Sequence, residues 1–150
     1  MPVIHVASHQ SPPGTDTRGN PSQPALIALL RVCALECRAA ARPAPHEACA
    51  LLHPDADAVD HATALARRLP ELLLRRPVIW APGAAGRSFD ESWLLAVARA
   101  LVSEDRASVR FLLRRHARPT GHAVLSMLLR GMVARLRTAR SGDGLDSFLE

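Results

Sequence analysis

Arginines at a four-residue spacing are the strongest chemical pattern in this sequence. Arg106, Arg110, Arg114 and Arg118 repeat every four residues. On an α-helix, each would lie only about 40° around the axis from the one before it. They therefore predict a ridge of guanidinium groups, which are suited to binding phosphates and carboxylates.

An aromatic side chain, Phe111, lies among these arginines, near Arg114 and Arg115. An aromatic ring flanked by guanidinium groups is a stacking platform for a nucleobase. The same ring could instead pack against a second copy of the chain. The next predicted helix adds Arg130 and Arg137. The sequence leaves open whether this surface binds phosphates, binds an acidic protein or is a solvated helix face.

The excess of basic over acidic residues comes from one block of the chain. All 19 basic residues are arginine, and the net charge is +5. The segment Arg99–Arg140 holds ten arginines and two acidic residues (+8), and the remainder holds nine against twelve (−3). The expected partner is therefore an acidic protein or a second copy, with DNA or RNA as the alternative. No signature motif of a nucleic-acid-binding family is present.

Cysteine and histidine residues near the N-terminal third form a weaker pattern. The residues are Cys33, Cys37, His46, Cys49 and His53. Four converging thiolate and imidazole groups could hold zinc, but no CxxC pair is present. Cys33 and Cys37 also complete an apolar helical stripe, where a free cysteine behaves as a small hydrophobic residue. We expect core packing and no metal or cofactor, with a metal- or redox-responsive regulator as the weaker alternative.

No catalytic set is apparent. His116 and His122 have no nucleophile in a recognisable pattern beside them. The glycine-containing segment 82–88 precedes a predicted helix but lacks the spacing and the lysine of a phosphate-binding loop. We therefore expect a capped helix entry in that segment and no enzymatic activity.

The elements that carry these residues are predicted to be helical. The chain is rich in Ala and Leu and has 3% aromatic residues, which favours helix over sheet. The predicted fold is all-α, a single-domain bundle of five or six helices over residues 23–140. A flexible, disordered N-terminal arm covers residues 1–22, and a loose acidic tail covers 141–150.

The N-terminal half of the bundle, 23–76, is predicted to contain a helix over about 22–41 and a short helix over 45–53. A further helix runs to residue 76, with its N-cap in the Asp55–Asp57 stretch, and Pro70 is expected to kink or restart it. The residues predicted to face the core from the two longer helices are Leu26, Leu29, Leu30, Cys33, Cys37, Val59, Ala62, Leu65, Ala66 and Leu69, with Arg31 outside the stripe.

The C-terminal half, 88–140, follows a loop over 77–87. Ser88 and Glu91 form a capping box that opens its first helix. Phe89 and Trp93 are one turn apart on that helix, and we predict that these aromatics contribute to an interface.

Two more helices complete this half. Ser103 is predicted to cap the first of them. The second begins near Thr120, ends near Arg140 and is mostly apolar at its start, which indicates a central core helix. Its Gly131 would allow a neighbouring element to approach closely.

The N-terminus lacks the pattern of a secretory signal, and the longest apolar stretch is too short to span a bilayer. We expect a cytoplasmic protein with no membrane partner. Its predicted function is a small non-enzymatic interaction or regulatory module that presents a basic arginine surface.

Overall fold

The fold is all-α, as predicted. The computed structural model describes residues 24–40 and 54–140, and this part of the chain contains five α-helices and no strand. The helices are α1 Ala25–Ala39, α2 Ala58–Leu72, α3 Phe89–Val102, α4 Arg106–His116 and α5 His122–Arg140. The predicted arm 1–22, the short helix 45–53 and the tail 141–150 lie outside the described residues.

The helices enclose one apolar core. α2 packs against both α1 and α5, and α3 packs against α4 and α5. Fully buried side chains from four helices meet there: Leu26, Ile27, Leu30, Leu65, Leu69, Leu94, Leu125, Leu128, Leu129 and Met132. The prediction that α5 is a core helix is confirmed. Within the described ranges, none of the helices combines the length and apolarity needed to cross a membrane.

The faces of α1 and α2 differ from the predicted ones, and Arg31 and Val59 show the difference most clearly. Arg31 was expected outside the apolar stripe of α1, but it is completely buried. Val59 was expected in the core, but it lies exposed in the first turn of α2. Helical periodicity identifies apolar faces, but it does not reveal a charged side chain whose partner is on another element.

The C-terminal end of α2 is also shorter than predicted. The helix passes through Pro70 and ends at Leu72, rather than continuing to Arg76. Two backbone bonds tie the chain just after this point to the end of α4: Arg118 N–H donates to Leu72 O at 2.8 Å, and Leu74 N–H donates to His116 O at 3.0 Å. This tertiary pairing replaces the predicted helical continuation.

Helix caps explain most of the remaining boundaries. The predicted capping box at Ser88 and Glu91 is confirmed. Asp57 caps α2 in the same reciprocal way. The expectation that Ser103 caps α4 is wrong, because the chain turns at Glu104 with φ +58° and Asp105 becomes the N-cap. The Asp105 carboxylate accepts the backbone N–H of Ser108 at 3.0 Å and its hydroxyl at 2.5 Å.

Close approaches to α5 depend on glycine. A Cβ atom on Gly131 would collide with the His61 ring of α2. A Cβ atom on Gly121, in the 3₁₀ turn Pro119–Gly121 before α5, would lie 3.3 Å from the backbone of Leu72. Gly131 therefore allows the close approach that its position in the sequence predicts.

Candidate functional site

A buried ion pair fixes the loop that precedes α3. The Arg31 guanidinium donates to both Glu91 oxygens, from Nε at 2.7 Å and from Nη2 at 2.8 Å. It also donates to the backbone carbonyls of Ala84 and Gly86, each at 2.8 Å. Arg31 therefore connects α1 to α3 and holds the loop that joins α2 to α3.

Glu91 is saturated with hydrogen bonds. Its carboxylate accepts from the backbone N–H of Ser88 at 2.8 Å and of Trp80 at 3.0 Å, besides the bonds from Arg31. Burial by itself would raise the pKa of Glu91, but the bonds from Arg31, Ser88 and Trp80 outweigh it and leave the pKa below its ordinary value. Glu91 therefore remains ionised and completes a structural pair, and the segment 82–88 is a capped helix entry.

A second buried pair lies one residue away. His116 Nε2 is 2.5 Å from Asp90 Oδ1, and the side chains are only 8% and 5% exposed. The other Asp90 oxygen accepts the backbone N–H of Val78 at 2.7 Å. Sequence patterns did not predict this pair, because Asp90 and His116 are 26 residues apart and lie on different helices.

Aromatic rings hold the His116 imidazole in place. The ring centroids of Phe89 and Trp93 lie 5.4 and 4.8 Å from that of His116, both in edge-to-face contact. Trp93 Nε1 donates to Leu112 O at 3.1 Å, which ties α3 to α4. Trp93 is buried, with 6% exposure. Trp93 therefore packs inside the protein and stabilises the position of the His116 ring.

These residues form the floor of an open groove between α3 and α4, which we call the aromatic groove. Its volume is about 450 Å³. The lining residues are Leu74, Arg75, Phe89, Trp93, Phe111, Leu112, Arg115 and His116. The groove combines apolar walls with basic side chains and a buried imidazole, which is the usual composition of a binding site.

Two exposed phenylalanines at the groove are each paired with an arginine. Phe89 is 65% exposed and has the Arg75 guanidinium carbon 5.3 Å from its ring centroid. Phe111 is 60% exposed, and the corresponding distance from Arg115 is 5.6 Å. Among the described residues, no acidic side chain forms an ion pair with either arginine.

The residues of the predicted arginine surface divide between two sites. Arg115 and Phe111 line the aromatic groove. Arg106, Arg110 and Arg130 instead line a separate cavity of about 250 Å³ between α4 and α5, which we call the basic pocket. Its other lining residues are Ala100, Glu104, Val109, Leu113 and His122.

Three arginines of the predicted arginine surface lie outside both cavities. Arg114 and Arg137 are exposed and line neither. Arg118 does not extend the ridge, because α4 ends at His116. Its Nε donates to Leu73 O at 3.1 Å. Arg118 therefore stabilises the contact between the ends of α2 and α4.

The cysteines of α1 are free thiols. Cys33 is buried, and Cys37 is half-buried with Sγ 3.9 Å from Thr63 O. Burial raises the pKa of the Cys33 thiol. In the ranges 24–40 and 54–140, no cluster of three or more His, Cys, Asp or Glu side chains could hold a metal ion. The other proposed ligands, His46, Cys49 and His53, lie outside the described residues.

Comparison with known proteins gives no match: no family model, no curated protein and no solved structure resembles the chain. The aromatic groove and the basic pocket are therefore the features from which we infer a function.

Proposed function

We propose that the chain is a small, non-enzymatic, cytoplasmic interaction module whose aromatic groove binds a segment of an acidic partner protein. The observation that carries this proposal is the pairing of two exposed phenylalanines with two arginines. Phe89 and Phe111 lie on opposite helices of the groove, and Arg75 and Arg115 lie 5.3 and 5.6 Å from their rings.

Exposed aromatic surface supports a binding role. Burial of a large apolar side chain lowers the free energy by roughly 1.5–3 kcal/mol. Phe89 and Phe111 remain mostly in water, whereas Trp93 is buried. Aromatic and arginine side chains are also the residues that contribute most often to interface hot spots.

The charges at the groove support an acidic partner. Among the described residues, neither Arg75 nor Arg115 forms an ion pair with an acidic side chain. A bound carboxylate would supply the missing opposite charge. The preferred segment therefore places an aromatic or aliphatic side chain, which contacts Phe89 and Phe111, close to one or more Asp or Glu residues.

A displayed library of random peptides tests this proposal. The selection uses the wild-type chain, with a counter-selection on a Phe89→Ala, Phe111→Ala double variant whose fold is checked by circular dichroism. We expect enrichment of peptides that combine an aromatic or aliphatic residue with Asp or Glu. Enrichment of basic peptides, or of the same peptides on both baits, would contradict the proposal.

Self-association of the chain through the same groove is tested by its oligomeric state. Sedimentation velocity of the wild type and of Phe111→Ala measures the oligomeric state of each. If the wild type forms a dimer that Phe111→Ala dissociates, the occupant is a second copy rather than a different protein.

The basic pocket favours a second candidate function, which is contact with nucleic-acid phosphates. Arg106 and Arg110 from α4 and Arg130 from α5 line this one cavity. In the described part of the chain, no acidic side chain forms an ion pair with any of the three. Guanidinium groups concentrated in this way attract phosphate groups without reading sequence.

Salt-dependent binding to oligonucleotides tests this second candidate. The probes are a fluorescent single-stranded DNA and the same sequence as a duplex. We expect affinity to fall steeply as salt increases, and each lost arginine contact to reduce the salt slope by about one. Arg106→Gln with Arg110→Gln should weaken binding, whereas Arg114→Gln on the same helix should not. Absence of binding at low salt would eliminate this candidate.

A further inference from the structure

The sequence itself contains a segment with the chemistry that the aromatic groove favours. Three stretches lie outside the described residues: 1–23, 41–53 and 141–150. The first two each have one acidic residue and no Phe, Tyr or Trp. The segment 141–150 has three acidic residues, Phe148 and no basic residue. Of the three stretches, this segment alone joins an aromatic side chain to carboxylates.

The spacing within segment 141–150 matches the groove. In an extended backbone, residues two apart share a face and lie roughly 6.7 Å from each other. Asp146, Phe148 and Glu150 follow this spacing, so one face carries an aromatic ring with a carboxylate on each side. The groove presents the complementary set, because Phe89 and Phe111 each have a guanidinium carbon within 5.3 and 5.6 Å of the ring centroid.

The charges of the groove and of the segment are opposite. Arg75 after α2 and Arg115 on α4 line the groove, and neither forms an ion pair with an acidic side chain in the described part of the chain. The segment 141–150 has three acidic residues against no basic one, a formal charge of −3. Contact between segment and groove therefore brings carboxylates to guanidinium groups at the edge of an aromatic contact.

The helix that leads into this segment ends far from the groove of its own chain. Arg135, near the end of α5, donates from Nη2 to Pro54 O at 3.0 Å, just before α2 begins. Leu74 and Arg75 of the groove follow the other end of α2. Because α2 has 15 residues, its two ends are separated by about 22 Å. The last turns of α5 and the groove therefore lie at opposite ends of the bundle.

The reach of the segment favours a second copy over the same chain. Phe148 follows Arg140 by eight residues, and eight residues span at most about 26–29 Å when fully extended. To reach the groove of its own chain, the segment would have to be almost fully extended along the surface of the bundle. Two copies can instead exchange their segments about a two-fold axis without this constraint.

We infer that segment 141–150 of one copy binds in the aromatic groove of a second copy. Phe148 packs against Phe89 and Phe111, and the carboxylates on either side of it face the two arginines of the groove. This inference rests on the proposed function and names the segment that the groove binds. Exchange about a two-fold axis makes two identical contacts, so damage to either the groove or the segment dissociates the dimer.

Sedimentation velocity of the 150-residue chain tests the inference through substitutions in the segment. We expect a wild-type dimer, and we expect Phe148→Ala to raise its dissociation constant at least about tenfold, as for loss of an interface aromatic. Asp146→Asn with Glu150→Gln should act in the same direction. Asp143→Asn is the matched control and should not, because residue 143 lies on the other face of an extended segment. A wild type that stays monomeric, or a dimer that Phe148→Ala leaves intact, would overturn the inference.

A labelled peptide with the sequence of residues 141–150 isolates one of the two contacts. Fluorescence anisotropy measures its binding to the Phe148→Ala chain, whose groove no intact segment occupies. We expect binding that weakens as salt increases, because the contact includes exposed charges. Binding should be at least about tenfold weaker when the chain also carries Phe111→Ala. The same peptide with Phe148→Ala is the control, and equal binding of the two peptides would contradict the inference.

The two proposals fail separately. If the peptide library enriches acidic aromatic sequences but the 141–150 peptide does not bind, the proposed function stands and the assigned segment is wrong. If the 141–150 peptide binds but the wild-type chain stays monomeric, the groove binds acidic peptides and the exchange between two copies is wrong. If neither the library nor the peptide gives binding that depends on Phe111, the proposed function fails as well.

Discussion

Arg31 and Glu91, sixty residues apart in the sequence, form a two-point ion pair with N–O distances of 2.7 and 2.8 Å. Both side chains are buried almost completely, with exposures of 1% and 0%. The pair joins α1 to α3, and the remaining bonds of both groups hold the loop 77–87. This buried ion pair therefore fixes the start of α3 and the loop that precedes it.

Removing one member of this pair should strongly destabilise the fold. Arg31→Met leaves Glu91 buried without its counter-charge, and such losses typically cost about 3–5 kcal/mol. Glu91→Gln should have a similar effect. The double variant should lose less than the sum of the two, because no uncompensated charge remains. Urea unfolding provides the free energies, and exposed Arg38→Met should change stability by less than about 0.5 kcal/mol. Additive losses would show that the pair is not coupled.

The same carboxylate predicts a loss of stability in acid. The pKa of Glu91 is lower in the folded chain than its ordinary value, so its stabilising contribution is present above the unfolded pKa of about 4.3. It is lost as the pH falls through the lower folded pKa. Urea midpoints measured from neutral pH downward should therefore fall less steeply for Glu91→Gln than for the wild type. The exposed Glu36→Gln variant should keep the wild-type slope.

Substitutions of Phe111 and Trp93 should differ in their effect on the free energy of unfolding. Phe111 is 60% exposed, so Phe111→Ala should change the free energy of unfolding by less than about 0.5 kcal/mol. Trp93 is buried, and Trp93→Ala should cost about 3–5 kcal/mol through the cavity that it leaves. Chemical denaturation measures both. A large loss for Phe111→Ala would indicate that this ring stabilises the fold and is not reserved for a partner.

Thiol labelling should distinguish the two cysteines of α1. Cys33 is 1% exposed, and burial raises its pKa, so the reactive thiolate is scarce in the folded chain. In a Cys37→Ser, Cys49→Ser background, an aromatic disulfide reagent should label Cys33 only when the protein opens. In a Cys33→Ser, Cys49→Ser background, the half-buried Cys37 should react faster. Equal rates would contradict the packing of Cys33 as a core residue.

Local patterns in the sequence were sufficient to predict the helices. The period of the apolar residues predicted α1, α2, α3 and α5, because burial of one face requires that period. The capping box at Ser88 and Glu91 predicted the start of α3 correctly, since both partners lie within one turn. The end of α2 was not predictable in this way, because Leu73 leaves the helix to pair with Ala117, which is distant in the sequence.

The sequence by itself determined the helical class, the loop 77–87 and the position of the basic block in the C-terminal half. Only the tertiary structure revealed that Arg31 meets Glu91 and that Asp90 meets His116, because each pair joins side chains from different helices. It also placed Arg106 and Arg110 of the predicted arginine ridge at the basic pocket, Arg114 outside both cavities and Arg118 against Leu73. Spacing along a helix fixes which residues share a face, whereas the packing of neighbouring helices decides what each face meets.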